Sequence, residues 1–86
     1  MAYFAAVLDM LDESRNLTLR PQHLEYLAAL SEQGKVHLKG PFKDGSGGMV
    51  IYKADSLEEA QQLAENDPYV VEGVRSLHLR EWDIKY

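Results

Sequence analysis

The chain has 86 residues, enough for one small domain and no more. Its net charge is −5, from 9 basic and 14 acidic side chains, which argues against a nucleic-acid surface and gives little attraction to an anionic membrane. It contains no cysteine, so disulfides, thiol nucleophiles and zinc-thiolate sites are excluded.

Taken in chain order, residues 3–10 read as a first strand rich in aromatic and aliphatic side chains. The segment is apolar, but no basic region precedes it and Asp9 soon follows, so it reads as a strand and not as a signal peptide. No stretch is long enough to span a bilayer, and a soluble cytoplasmic protein is the expectation. Residues 11–19 are polar and read as an irregular segment. A first helix is expected from about Arg20, with Pro21 in its first turn and Gly34 ending it. Val36–Lys39 form a second strand, residues 42–48 a glycine-rich loop, and Met49–Lys53 a third strand. Ser56 and Glu59 make a capping box for a second helix. Asn66-Asp67-Pro68 breaks it, and Pro68 opens a short turn that Gly73 ends. The fourth strand is expected from about Val74 to Ile84. Its apolar phase changes between Leu77 and Leu79 on one face and Trp82, Ile84 and Tyr86 on the other, so a bulge is expected near Arg80-Glu81.

The order β-α-β-β-α-β predicts an α+β, ferredoxin-like protomer with a four-stranded antiparallel sheet in a single domain, residues 1–86. Right-handed crossovers then place the start of helix 1, the 40–48 loop and the end of helix 2 at one end of the sheet. His23, Asp67 and the glycine run therefore meet there, with Thr18, the 11–19 segment and Tyr69 around the mouth. Strands 1 and 3 are apolar on both faces while helices cover only one, so a second copy is expected to cover the other. Tyr3, Ala5, Val7, Met49 and Ile51, or the alternate set, would form that homodimer interface.

A histidine beside a carboxylate is a minimal acid–base pair. His23 reads as a general base or acid, with a helix-start His bonded to a loop carbonyl as the alternative. Asp67 can cap the turn opened by Pro68 with one oxygen and orient His23 with the other. The Gly40–Gly48 run reads as a flexible hairpin loop whose amides could also bind an anion. It lacks the Lys-Ser/Thr ending of a phosphate loop. Gly40, Pro41, Phe42, Ser46, Gly47 and Tyr69 are the candidate substrate-binding residues. No metal site is expected, because His37 and His78 fall in different strands without ligand spacing. No cofactor is expected either, since nothing in the sequence marks a nucleotide or flavin site.

Tyr3-Phe4, Arg20-Pro21-Gln22-His23-Leu24-Glu25-Tyr26-Leu27, Gly34-Lys35, Gly40-Pro41, Gly47-Gly48, Ala54-Asp55-Ser56-Leu57-Glu58-Glu59-Ala60, Asn66-Asp67-Pro68-Tyr69 and Arg80-Glu81-Trp82 together resemble the YciI-like (YCII-related) domain family. The resemblance covers essentially the whole chain. It departs at Glu81, where family members often carry Pro before the final Trp. It implies a dimeric α+β barrel and a small-molecule pocket whose His–Asp pair maps onto His23 and Asp67. The wider superfamily includes lactone isomerases and small monooxygenases, so the fold alone does not fix a reaction. The expected function is a small-molecule enzyme, a cofactor-independent lyase or isomerase, using the His–Asp pair for elimination, isomerisation or hydration. The alternative is a non-catalytic dimeric module that binds or senses a small metabolite.

Overall fold

The structure is a computed structural model that describes residues 1–85; Tyr86, expected to share a face with Trp82, lies outside the described residues. The elements are β1 (Ala2–Met10), α1 (Glu13–Glu32), β2 (Val36–Pro41), β3 (Gly47–Ala54), α2 (Leu57–Glu65), α3 (Pro68–Val71) and β4 (Arg75–Glu81). The strands form one antiparallel sheet in the order β2-β3-β1-β4. This is the expected ferredoxin-like arrangement, with α3 as a single added turn.

Helix α1 begins a full two turns earlier than the sequence suggests, at Glu13 instead of near Arg20. Asp12 caps it by accepting the Arg15 N–H at 3.2 Å. Pro21 and His23 consequently lie inside the helix and not in its first turn. Pro21 has no N–H to give the Leu17 carbonyl, but both residues are exposed, so water can serve that carbonyl. The buried positions of α1 are Asn16, His23, Leu27 and Leu30. The first two are polar, which is why the N-terminal half carries no apolar stripe to read. The Arg15 guanidinium holds this half down by donating to the Glu72 carbonyl and carboxylate, at 3.0 and 3.1 Å.

The other boundaries shift less. The β2–β3 connection is shorter than the expected 42–48 loop, because β2 runs to Pro41 and β3 starts at Gly47. Strand β4 ends at Glu81, short of Ile84, and its pairing with β1 runs without a bulge. The register shift is instead in β2, between Val36 and Leu38. Ser56 caps α2 by accepting the Glu59 N–H at 3.1 Å, while the Glu59 carboxylate reaches the Asp55 N–H at 2.9 Å.

The core lies between the sheet and the helices. Phe4, Ala6 and Leu8 of β1 and Val50, Tyr52 and Ala54 of β3 pack against Leu27 and Leu30 of α1 and Ala60 and Ala64 of α2. Strand pairing puts the alternate set, Tyr3, Ala5, Val7, Met49 and Ile51, on the opposite face. That face has no helix.

One glycine sets how closely β1 and β3 approach at the end of the sheet where α1 enters. Gly47 has φ 146°, and a Cβ there would collide with the Leu8 carbonyl oxygen. Gly47→Ala is expected to lower stability by about 2–4 kcal/mol. Gly40→Ala, where a Cβ meets nothing within 4 Å, should change it by less than about 0.5 kcal/mol. Urea denaturation of the two variants beside the parent checks this.

Candidate active site

Helix α2 ends at Glu65 with Asn66 as its C-cap, and Pro68 starts α3 two residues later. A proline is well placed there because the first helical N–H has no partner in any case. Asp67 stands between the two helices as the α3 cap, accepting the Tyr69 N–H at 2.9 Å. It is 0% exposed. Cap and carboxylate are thereby fixed by local sequence alone.

The same carboxylate faces α1. His23 Nδ1 lies 2.8 Å from one Asp67 oxygen and 2.9 Å from the other. A carboxylate only accepts, so Nδ1 carries the shared proton and the neutral ring keeps its lone pair at Nε2. Nε2 has no protein partner among the described residues, yet no buried side-chain nitrogen or oxygen there is unsatisfied. Nε2 is therefore not sealed from solvent, and His23 is one of the side chains that line a recess.

Tyr69 joins this pair to a second one. Its ring stacks on His23, centroids 4.0 Å apart at 20°, and the Arg75 guanidinium lies 4.3 Å from its centre. Its hydroxyl donates to the Asn16 carbonyl at 3.3 Å. Asn16 Oδ1 in turn accepts from Arg75 Nε at 3.0 Å. Burial lowers the Arg75 pKa from its ordinary value, against the opposing pull of Tyr69 and Asp67, but a guanidinium stays charged at neutral pH.

These groups border a recess of about 90 Å³ at the end of the sheet where β2 finishes and β3 begins. Leu8, Leu27 and Val50 give it an apolar wall. Its charged lining is cationic, from Arg20, Lys39 and Arg75. Chemically the arrangement offers an oriented imidazole, an apolar surface and positive charge around one small space.

Of the residues the sequence proposed, His23, Asp67 and Tyr69 come together, and Gly40 and Pro41 line the recess with His23. Phe42, Ser46 and Gly47 do not line it. They close the hairpin instead: the Phe42 N–H donates to the Gly47 carbonyl at 2.9 Å, and the Ser46 carbonyl accepts from Met10 N at 2.8 Å. Thr18 sits on the exposed side of α1, its hydroxyl donating to the Ser14 carbonyl at 3.4 Å. His37 and His78 are on the helix-free side, near Tyr3 and Asp9.

Sequence reasoning missed Asn16, Arg20, Lys39 and Arg75, while Gly48 lines the recess as part of the 40–48 run expected at this end. A signal for Arg75 was present. Leu77 and Leu79 share a face, and alternation puts Arg75 on that same helix-covered face. A buried-side arginine at a strand end is a site residue by position.

Asp67 holds both a cap and a buried imidazole, so its loss should be costly. Asp67→Ala is expected to destabilise by about 2–4 kcal/mol, the sum of a lost cap and an unpaired buried donor. Asp67→Asn keeps an oxygen for the Tyr69 N–H and should cost about half as much. Urea denaturation followed by circular dichroism measures both.

Known proteins share this chain's sequence pattern and fold. The family model described as "YCII-related domain" matches residues 1–83. The "Uncharacterized protein YjpA" of Bacillus subtilis is 36% identical over 83 residues, 96% of this chain and 98% of that protein. The "Protein YciI" of Escherichia coli O6:H1 is 34% identical over 85 residues, 86% of this chain and 87% of that one. Among solved structures, the fold is similar to that of 5-chloro-2-hydroxyhydroquinone dehydrochlorinase (TftG) from Burkholderia phenoliruptrix AC1100, in complex with 2,5-dihydroxybenzoquinone. The TM-score is 0.79 at 25% identity, covering 94% of this chain and 93% of that one. A match across nearly the whole sequence, with relatives of similar length, places this chain in the YCII-related domain family.

Proposed function

We propose that the chain is an enzyme that eliminates a small leaving group from a small hydroxylated substrate, with His23 as the general base. The observation that carries this reading is the His23 Nδ1 contact with a wholly buried Asp67, which leaves Nε2 unsealed on a side chain that lines the recess. The likeness to a dehydrochlorinase supports elimination over other acid–base reactions.

In this reading Nε2 takes a proton from a substrate O–H or C–H. The freed electron pair becomes the new π bond, and the leaving group departs with its own bonding pair. No net oxidation occurs, so the step draws on no redox partner. Asp67 keeps the ring in the tautomer that presents Nε2 and offsets the charge of the imidazolium that forms. The apolar wall excludes water from the base and strengthens that electrostatic effect.

Chloride release from 5-chloro-2-hydroxyhydroquinone is the first assay, followed by other hydroxylated rings bearing a leaving group. His23→Ala should lower kcat about 10²–10⁴-fold while circular dichroism stays at the parent's signal. Asp67→Asn should lower kcat with a smaller effect on KM, since the acceptor that sets the tautomer is lost. A folded His23→Ala protein turning over at the parent rate would remove His23 as the base. Binding of such rings with no chemical change would favour the sensing module instead.

We also propose that two copies pair through the helix-free sheet face. Tyr3, Ala5, Val7, Met49 and Ile51 give that face its apolar centre. Trp82, bonded through its N–H to the Tyr3 carbonyl at 2.8 Å, lies at its edge and borders a shallow hollow of about 250 Å³ with Ala5 and Met49. A strand apolar on both sides is usually covered on both. Light scattering at micromolar concentration should give twice the chain mass, and Val7→Lys should halve it without loss of helical signal. A parent protein that stays monomeric overturns the pairing.

A further inference from the structure

The cationic side of the recess contains a group that the elimination reading leaves unused. Arg75 is 8% exposed. Its Nε donates to Asn16 Oδ1, and its central carbon lies over the Tyr69 ring, 4.3 Å from the centre. Among the described residues its remaining N–H groups have no protein acceptor and no carboxylate lies within ion-pair distance. An almost buried guanidinium without a counter-ion is costly unless something supplies one. Among the described residues no acid lines the recess, and the oxygens of Asp67, behind His23, are engaged by His23 and the Tyr69 amide.

The surroundings are built to hold this guanidinium in place. Asn16 is 6% exposed and spends its side-chain oxygen on Nε. Gly48 lies beside the guanidinium, where a Cβ would come within 3.2 Å of Nη1 and 2.8 Å of the Gly40 carbonyl oxygen. Arg20 and Lys39 line the same recess from α1 and β2, so three cations from three elements surround one space.

The geometry points to Arg75 as the receptor for an oxyanion, so that the substrate is a planar, acidic enol, phenol or carboxylic acid bound as its anion. The proposal rests on the reading that this recess is the substrate site. Arg75 presents the fork that suits two oxygens or one oxygen bearing two lone pairs. Arg20 and Lys39, both exposed, add charge at the rim and speed capture more than they tighten it. Negative charge that builds on a substrate oxygen as His23 takes its proton would then meet a fixed donor at no cost in reorganisation.

The probe is 2,5-dihydroxybenzoquinone, whose hydroxyls are conjugated to carbonyls and ionise like carboxylic acids, compared with its 2,5-dimethoxy ether, which cannot ionise. Calorimetric titration of the parent and Arg75→Gln should show the anion binding about 10- to 100-fold more weakly to the variant. The ether should bind both proteins alike. Arg75→Lys should recover only part of the loss, because the fork and the Nε bond are gone. In the parent, the Arg75 Nε–H resonance should move as the anion is added and stay still with the ether. This signal decides the matter if Arg75→Gln fails to fold. Unchanged anion affinity in a folded Arg75→Gln, equal losses for anion and ether, or an unmoved Nε–H resonance each overturns the proposal. Turnover separates the two ideas. Anion binding that depends on Arg75 in a parent protein with no turnover sinks the elimination reading alone, while turnover that is lost in His23→Ala but unchanged in Arg75→Gln sinks the oxyanion receptor alone.

Discussion

The buried carboxylate of Asp67 is the constraint around which this small domain is arranged. A charge removed from water must be matched by donors or the fold loses several kcal/mol. Here the match comes from two directions: the Tyr69 amide in the next turn of chain and the His23 imidazole from a different helix. The first is local and follows from the Asp-Pro sequence. The second requires α1 to lie across α3 with a polar face inward, and the Arg15 contacts to Glu72 hold it so. A catalytic-looking pair and a structural tie are thus the same contact, which explains how an 86-residue chain can keep a buried ion without a large core.

Much of this was legible in the sequence, because the outer elements obey simple rules. The Ser56 cap, the Asp67-Pro68 start and the alternation of β1 and β3 each fix an element by local chemistry. Crossover handedness then brings His23 and Asp67 to one end, and they meet at 2.8 Å. The first two turns of α1 were not legible. Helix periodicity is read from apolar residues, and the inward positions there are Asn16 and His23. Pro21 then mimicked a helix start. The Asn16 anchor of Arg75 was missed with it, because without a helix at Asn16 nothing marks that side chain as a partner of the guanidinium. The bulge was misplaced for a different reason. Trp82 needs no bulge, because unbroken alternation through Arg80 and Glu81 carries it to the helix-free face beside Ala5 and Met49.

Charge is distributed against the average. The chain carries −5 overall, yet its recess is lined by Arg20, Lys39 and Arg75 and, among the described residues, by no acid. Net charge governs solubility and non-specific contacts, while field inside a concave, partly apolar space is set by the few groups that border it. The three cationic side chains that border the recess set its local field whatever the charge of the rest of the surface. The absence of a nucleic-acid signature in the composition and the presence of cations at the site are therefore compatible.

Gly48 shows how far the backbone itself is adapted to that recess. A strand interior normally gains from a side chain, and glycine weakens it. At this position a Cβ would press on the Gly40 carbonyl and on Arg75 Nη1 together. The missing side chain therefore lets β2 and β3 stay close and lets the guanidinium lie against β3 beneath the recess. The Gly47-Gly48 pair divides two tasks: the first residue lets β1 approach, the second admits the arginine. What looks in the sequence like loop flexibility is close packing, and it places a fixed positive charge beside the same recess that His23 lines.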